Sequence, residues 1–152
     1  MKQLIATFST LILISVAAPV WGGPAEEVAE IAGPRLRALQ EGNLDAYIAA
    51  FADNAAFQSS LSPFRVEGKE AIRAHFTEVF QMYPKRRVLL RQPSMRVYND
   101  DLVIQNGYFV LYLTDQRGQV ITVPGRVSVT WAKVGGRWQI VDQHGSRLPA
   151  AP

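Results

Sequence analysis

The chain has 152 residues, which is enough for one domain with its own hydrophobic core. A formal net charge of +3 is too small to favour a nucleic-acid-binding surface, so no nucleic-acid partner is expected. The absence of cysteine excludes disulfides and lipid attachment through a cysteine.

The first residues have the layout of a secretory signal peptide. Lys2 supplies a positive start, residues 4–18 form an almost unbroken apolar run, and residues 19–24 are rich in small residues and helix breakers. A membrane anchor is the alternative, but it needs about 20 apolar residues, and this run is shorter. We therefore expect residues 1–23 to be removed. Residues 24–152 would then form a periplasmic or secreted domain that no longer contacts a membrane.

Three amphipathic helices are predicted in the first half of this domain. Apolar residues recur with a helical period over 25–39, and Pro34 inside this run predicts a kink or a fresh start. Gly42 ends the first helix, and Asn43 is a good N-cap for the second. The apolar residues of the second helix are Leu44, Tyr47, Ile48 and Phe51. Residues 70–80 form the third helix.

Strands make up most of the remaining chain. A turn at Asp53-Asn54 leads into a short strand over 55–59, and residues 60–68 are predicted to form a loop. Pro93 interrupts one later strand, which is therefore expected at an edge or to carry a bulge. The four long strands are predicted over 88–98, 102–114, 119–134 and 137–146. This order of elements favours an α+β domain in which an antiparallel sheet curls over a layer of helices.

The last strand contains the most informative pattern. If its side chains alternate strictly, one face carries Trp138, Ile140, Asp142, His144 and Ser146. That face begins apolar and becomes ionisable. Because unpaired buried charges cost several kcal/mol, such a face predicts a cavity that contains water or a ligand.

Two groups of residues are candidates for chemistry. Asp142 and His144 form either an acid–base pair or a structural pair that holds the end of the sheet. Arg126 pairs either with Asp142 or an anionic ligand, or it faces outward. Strict alternation places Arg126 opposite Trp131, although a bulge at Pro124 could redirect it. The histidines and carboxylates have no metal-binding spacing, and no nucleotide-binding glycine motif is present.

Three motifs carry a resemblance to a known family. They are Gly42-Asn43-Leu44-Asp45-Ala46-Tyr47, Val66-Glu67-Gly68-Lys69 and the segment from Gly136 to Pro149. The chain resembles the nuclear transport factor 2-like superfamily. Within it, the chain is most similar to exported SnoaL-like proteins and to the association domain of calcium/calmodulin-dependent protein kinase II. The resemblance implies a cone-shaped, cystatin-like α+β fold with a pocket between curved sheet and helices. It also implies dimers or larger rings formed through the outer face of the sheet.

The chain departs from its relatives at functional positions. Ser59 stands where ketosteroid isomerases of this superfamily have a catalytic aspartate, and a hydroxyl cannot act as that base near neutral pH. The buried arginines of the kinase association domain correspond to Phe109 and Val129. The acidic-ligand pocket of that domain is therefore not reproduced as such, and Arg126 is the candidate substitute.

These observations predict an exported small-molecule-binding or oligomeric association domain, a homodimer or a larger homo-oligomer, with no cofactor and no metal. The alternative is a ketosteroid-isomerase-like, dehydratase or cyclase enzyme in which His144 is the base and Asp142 orients it. The expected ligand-binding residues are Tyr47, Ser59, Phe109, Arg126, Trp138, Ile140, Asp142, His144 and Ser146.

Overall fold

The computed structural model describes residues 23–149, so the expected leader lies, apart from Gly23, outside the described residues. The elements in chain order are α1 (Pro24–Glu41), α2 (Leu44–Ile48), β1 (Phe51–Gln58), β2 (Arg65–Glu67), α3 (Lys69–Met82), β3 (Lys85–Asn99), β4 (Leu102–Thr114), β5 (Val120–Val134) and β6 (Arg137–Arg147).

The strands form one curved six-stranded sheet in the order β2-β1-β6-β5-β4-β3. All neighbouring pairs are antiparallel except β1 and β6, which are parallel. The helices cover one face of the sheet, which we call the inner face, and the opposite face is the outer face. This arrangement confirms the predicted α+β class, with a curved sheet on a helical layer.

The hydrophobic core lies between the inner face and the helices. Its largest fully buried side chains include Trp131 from β5, Phe51 from β1 and Ile72 from α3. Aromatic rings connect the layers: the Tyr47 and Phe76 centroids lie 4.6 Å apart in an edge-to-face arrangement. Such pairs add about 0.5–1.5 kcal/mol beyond area burial, so they help to fix α2 and α3 against the sheet.

The helix ends follow the local sequence signals closely. Gly42 adopts the left-handed conformation (φ 82°) that ends α1, and the Asn43 side chain accepts a hydrogen bond from the Ala46 amide at the start of α2. Helix α1 runs as one element through Pro34, so of the two predicted alternatives, a kink or a fresh start, the fresh start is excluded. Contacts of α1 with the sheet hold the helix across the missing donor.

The region around Phe51 differs most from the sequence-based prediction. Helix α2 ends at Ile48, and β1 already begins at Phe51, which pairs with Ile140. The Ile140 amide donates to the Ala50 carbonyl at 2.8 Å. Sheet pairing therefore overrides the helical period at Phe51 and the expected turn at Asp53. Strand β2 lies within the predicted loop.

Strand β3 has the predicted edge position. It is the last strand of the sheet, and its register with β4 shifts between Arg91 and Ser94. Gln92, next to Pro93, has a φ of 46°. Proline cannot donate to a neighbouring strand, so the interruption is confined to this edge.

Candidate functional site

A cavity of about 150 Å³ lies between α1, α3 and the inner face, and we call it the inner cavity. Most of its wall is aliphatic or aromatic. The helices contribute Ala32, Leu36, Leu39, Phe76 and Val79, and the sheet contributes Val88, Leu90, Leu111, Val127 and Val129. An apolar wall with few polar groups is typical of small-molecule sites.

The charged groups of the inner cavity are all positive. Arg35 from α1 and Arg86 from β3 line it, and none of its lining residues is acidic. The uncharged polar lining residues are Tyr47, Gln58, Ser59, Ser60, Gln105 and Gln143. The cavity therefore holds two guanidinium groups in apolar surroundings without a carboxylate among the residues that line it.

Arg35 lies against two aromatic rings. Its guanidinium carbon lies 4.2 Å from the ring centroid of Tyr47 and 4.8 Å from that of Phe51. Nη2 donates to Oε1 of Gln143 at 2.8 Å. Nε is buried and has no hydrogen-bond partner among the described residues. Burial lowers the pKa of Arg35, yet an arginine stays protonated in proteins, so the site keeps an unneutralised positive charge.

Tyr47 completes the polar group around Arg35. It is buried, and this burial raises the pKa of its hydroxyl, an effect that the nearby Arg35 and Gln143 partly oppose. The phenol therefore stays neutral at physiological pH and remains available as a hydrogen-bond donor. Arg35, Tyr47 and Gln143 together can bind an oxygen anion.

Arg86 has a different environment in the same cavity. Nε donates to the Leu39 carbonyl at 3.0 Å, and Nη1 donates to the carbonyls of Phe80 and Tyr83. These carbonyls belong to the last turns of α1 and α3 and to the residue after α3. Arg86 thus joins three elements through Nε and Nη1, and the protein already uses these donors.

Comparisons with known proteins assign the chain to a family. Residues 24–149 match the family model of the calcium/calmodulin dependent protein kinase II association domain. The chain belongs to this family. None of the curated proteins matches the chain in sequence.

Several solved structures share the association-domain fold. A Xanthomonas campestris protein assigned as a calcium/calmodulin dependent protein kinase II association domain is 25% identical, with a TM-score of 0.75 over 89% of this chain and 95% of its own. A nuclear transport factor 2-like protein of Salmonella enterica is 20% identical (TM-score 0.74, 85% and 94%). A Streptomyces avermitilis protein assigned as a dehydratase of the same superfamily is 11% identical (TM-score 0.74, 84% and 98%).

The last strand of this association domain does not alternate strictly. Trp131 pairs with Ile140 and Thr130 with Asp142, so Val141 is an extra residue that forms a bulge in β6. Trp138 and Ile140 are buried before the bulge, whereas Gln143 and Gly145 line the inner cavity after it. The expectation that the five alternating residues share one face was wrong, because one inserted residue reverses every later side chain.

Beyond the bulge, the predicted polar residues come together on the outer face. Ser146 lies opposite Arg126, His144 opposite Ser128, and Asp142 opposite Thr130. Arg126 and His144 are exposed, and Asp142 and Ser146 are partly buried. None of the four lines the inner cavity. The β5 register is continuous through Pro124, so no bulge there turns Arg126 inward.

The other predicted site residues divide between cavity wall and core. Tyr47, Ser59 and Phe109 line the inner cavity, whereas Ile140 is fully buried in the core. Trp138 donates through Nε1 to Glu27, and this hydrogen bond is the main reason that the pKa of Glu27 is lowered. Trp138 therefore anchors the first turn of α1 to the sheet.

Neither cavity arginine was predicted from the sequence, although Arg35 carries the clearer signal. It lies seven residues after the buried Val28 and four before Leu39, so it falls on the apolar stripe of α1. A charged residue on such a stripe is a detectable signal of an inward-facing cation. Gln143, predicted to face away from the cavity, was overlooked because of the bulge at Val141.

A second cavity, of about 270 Å³, adjoins the first, and we call it the polar cavity. The loop between β1 and β2 and the end of β6 enclose it. Its lining residues include Ser59, Ser60, Ser62, Arg65, His144, Ser146 and Arg147. Two further properties concern residues 23–149 only. No helix there is long and apolar enough to cross a membrane, and no three metal-ligating side chains there cluster around a possible ion.

Proposed function

We propose that this association domain binds a small organic anion in the inner cavity, with Arg35 as the group that receives the negative charge. The observation that carries this proposal is the unpaired Nε of Arg35 in a cavity without an acidic lining residue. A cation held in an apolar cavity without an acidic partner is costly, and a carboxylate that accepts hydrogen bonds from the guanidinium edge offsets that cost.

The size of the cavity limits the ligand. A dry apolar cavity of about 150 Å³ accommodates one benzene molecule, and the inner cavity has about this volume. The apolar part of the ligand is therefore one ring or a short alkyl chain. Phe57, Phe76 and Phe109 provide aromatic contacts for it.

The test is calorimetric titration with benzoate and with its uncharged analogue benzamide. Benzoate should bind and benzamide should not. Arg35→Met should weaken benzoate binding about ten- to a hundredfold, because a hydrogen bond to a charged group contributes about 1.5–3 kcal/mol. Arg37→Met is the matched control, since Arg37 is on the same helix but exposed. Equal binding of benzoate by the Arg35→Met variant would refute the proposal.

Export and self-association complete the proposed function. The apolar run over 4–18 supports removal of a leader and a periplasmic or secreted location. Membership of an association-domain family supports a homodimer or larger homo-oligomer, and exposed Tyr108 and Val120 on the outer face suit such a contact. Intact-mass measurement after expression with the leader tests export. Analytical ultracentrifugation of a Tyr108→Lys variant tests the assembly surface.

The second candidate is an enzyme with the fold of the Streptomyces dehydratase. His144 lines the polar cavity and lies two residues from Asp142, so it can act as a base on a substrate held there. This activity would be lost in His144→Ala, because the variant has no base at that position. Unchanged turnover in His144→Ala would exclude it.

A further inference from the structure

The inner cavity and the polar cavity share part of their walls. Gln58, Ser59, Ser60 and Gly145 line both. The two spaces differ in chemistry, since the inner cavity is mostly apolar and the polar cavity is lined largely by hydroxyl, amide and basic side chains. A molecule that extends past the shared wall would therefore leave an apolar environment and enter a polar one.

Gly145 keeps this shared wall thin. A Cβ added at Gly145 would lie 3.8 Å from the Gln58 carbonyl oxygen and 4.0 Å from the ring of Phe109. A methyl group fits at these distances, whereas a larger side chain would fill the space between β6, the end of β1 and Phe109. The absence of a side chain at Gly145 thus leaves space for about one methyl group where the two walls meet.

The distance from Arg35 to this boundary is short. Gln143 contacts Arg35 at 2.8 Å, and Gly145 is the next residue of β6 on the inner face. With a rise of about 3.3 Å per residue, the two positions are about 7 Å apart along the strand. A carboxylic acid bound at Arg35 therefore needs an apolar segment of about one ring to reach the polar cavity.

The polar cavity also favours negative charge. Arg65, Arg147 and His144 line it, and none of its lining residues is acidic. Arg147 uses Nε to donate to the Ser60 carbonyl at 3.0 Å, which fixes the guanidinium beside the loop. Arg65 contacts Glu67 at 2.7 Å, so Arg147 is the less neutralised of the two arginines.

From this geometry we propose that the ligand is a dianion with an apolar middle, one carboxylate at Arg35 and a second anionic group in the polar cavity. This inference rests on the proposed binding of an anion at Arg35 and adds the second anchoring site. Arg147 is its main contact, and Gly145 lies where the walls of the two cavities meet.

The test compares terephthalate with 4-methylbenzoate, which has the same para-substituted ring but one charge fewer. Calorimetric titration of the purified protein should show at least about tenfold tighter binding of terephthalate, as expected for an added charge-assisted hydrogen bond. Arg147→Met should remove this preference and leave 4-methylbenzoate binding unchanged. Arg117→Met, in the exposed turn between β4 and β5, should keep it. Gly145→Val should also remove the preference for terephthalate, because its side chain would fill the space between β6, the end of β1 and Phe109.

The possible outcomes separate the two proposals. Equal binding of both acids by the unsubstituted protein, with loss of both in Arg35→Met, would overturn the dianion inference and support the anion site. Failure of both acids to bind would overturn both. If Arg147→Met alters the melting temperature, Arg65→Met provides a second variant, and a terephthalate preference that survives both substitutions would overturn the inference.

Discussion

Two arginines line the inner cavity, but the protein treats them differently. Arg86 donates to three main-chain carbonyls that join the ends of α1 and α3, whereas Arg35 has one side-chain acceptor, Gln143, and an unpaired Nε. Both have aromatic contacts, with Arg86 lying 3.9 Å from the Phe80 centroid. Burial and cation–π contact therefore do not distinguish a structural arginine from a binding one. The hydrogen-bond partners do.

The largest change in stability is expected from replacing Arg86. Arg86→Met should lower the free energy of unfolding by about 3 kcal/mol, because three carbonyls lose their donor in a buried place. Urea denaturation measures this change. Arg87→Met is the control, since Arg87 is the next residue and exposed, and it should have almost no effect. A loss below about 1 kcal/mol for Arg86→Met would contradict a structural role.

A smaller change in stability, of the opposite sign, is expected from replacing Arg35. Arg35→Met should leave the free energy of unfolding unchanged or raise it by about 1 kcal/mol in ligand-free protein, because it removes a buried cation that lacks an acidic partner. Urea denaturation of the ligand-free protein measures this change in the free energy of unfolding. If Arg35→Met destabilised the protein as much as Arg86→Met, Arg35 would be a structural residue and the comparison would fail.

The general fold could be predicted from local signals. The side chain of Asn43 caps α2 as its chemistry predicts, and Pro93 lies in an edge strand with an irregular register. Long strands separated by turn residues gave the right order of the later elements. The boundary near Phe51 could not be predicted, because a helical period of apolar residues and a buried strand look alike over a few residues.

The site was harder to predict than the fold. The extra residue at Val141 has no sequence signature, yet it turns Gln143 inward and His144 outward. Strict alternation in β6 was right that Asp142, His144 and Ser146 share a face, but it placed them on the face of Trp138 and Ile140. Arg35 could have been found, because its place on the apolar stripe of α1 is visible in the sequence. Its missing acceptor is visible only in three dimensions.

Replacing His75 should cause the smallest of these changes in stability. It also shows how a partly buried histidine differs from a partly buried arginine. The Nε2 atom of His75 is also buried and has no hydrogen-bond partner within residues 23–149, and burial lowers the pKa of His75, with Glu78 partly opposing this shift. Unlike Arg35, His75 can become neutral by losing a proton. The unfolded chain then binds the proton more tightly than the folded one, so stability is fully present above about pH 6.5 and declines as the pH falls below it.

His75→Phe should reduce this decline in urea denaturation series between pH 7.5 and pH 5, whereas His144→Phe, at an exposed position, should preserve it. An identical decline in the unsubstituted protein and in His75→Phe would mean that another group causes it.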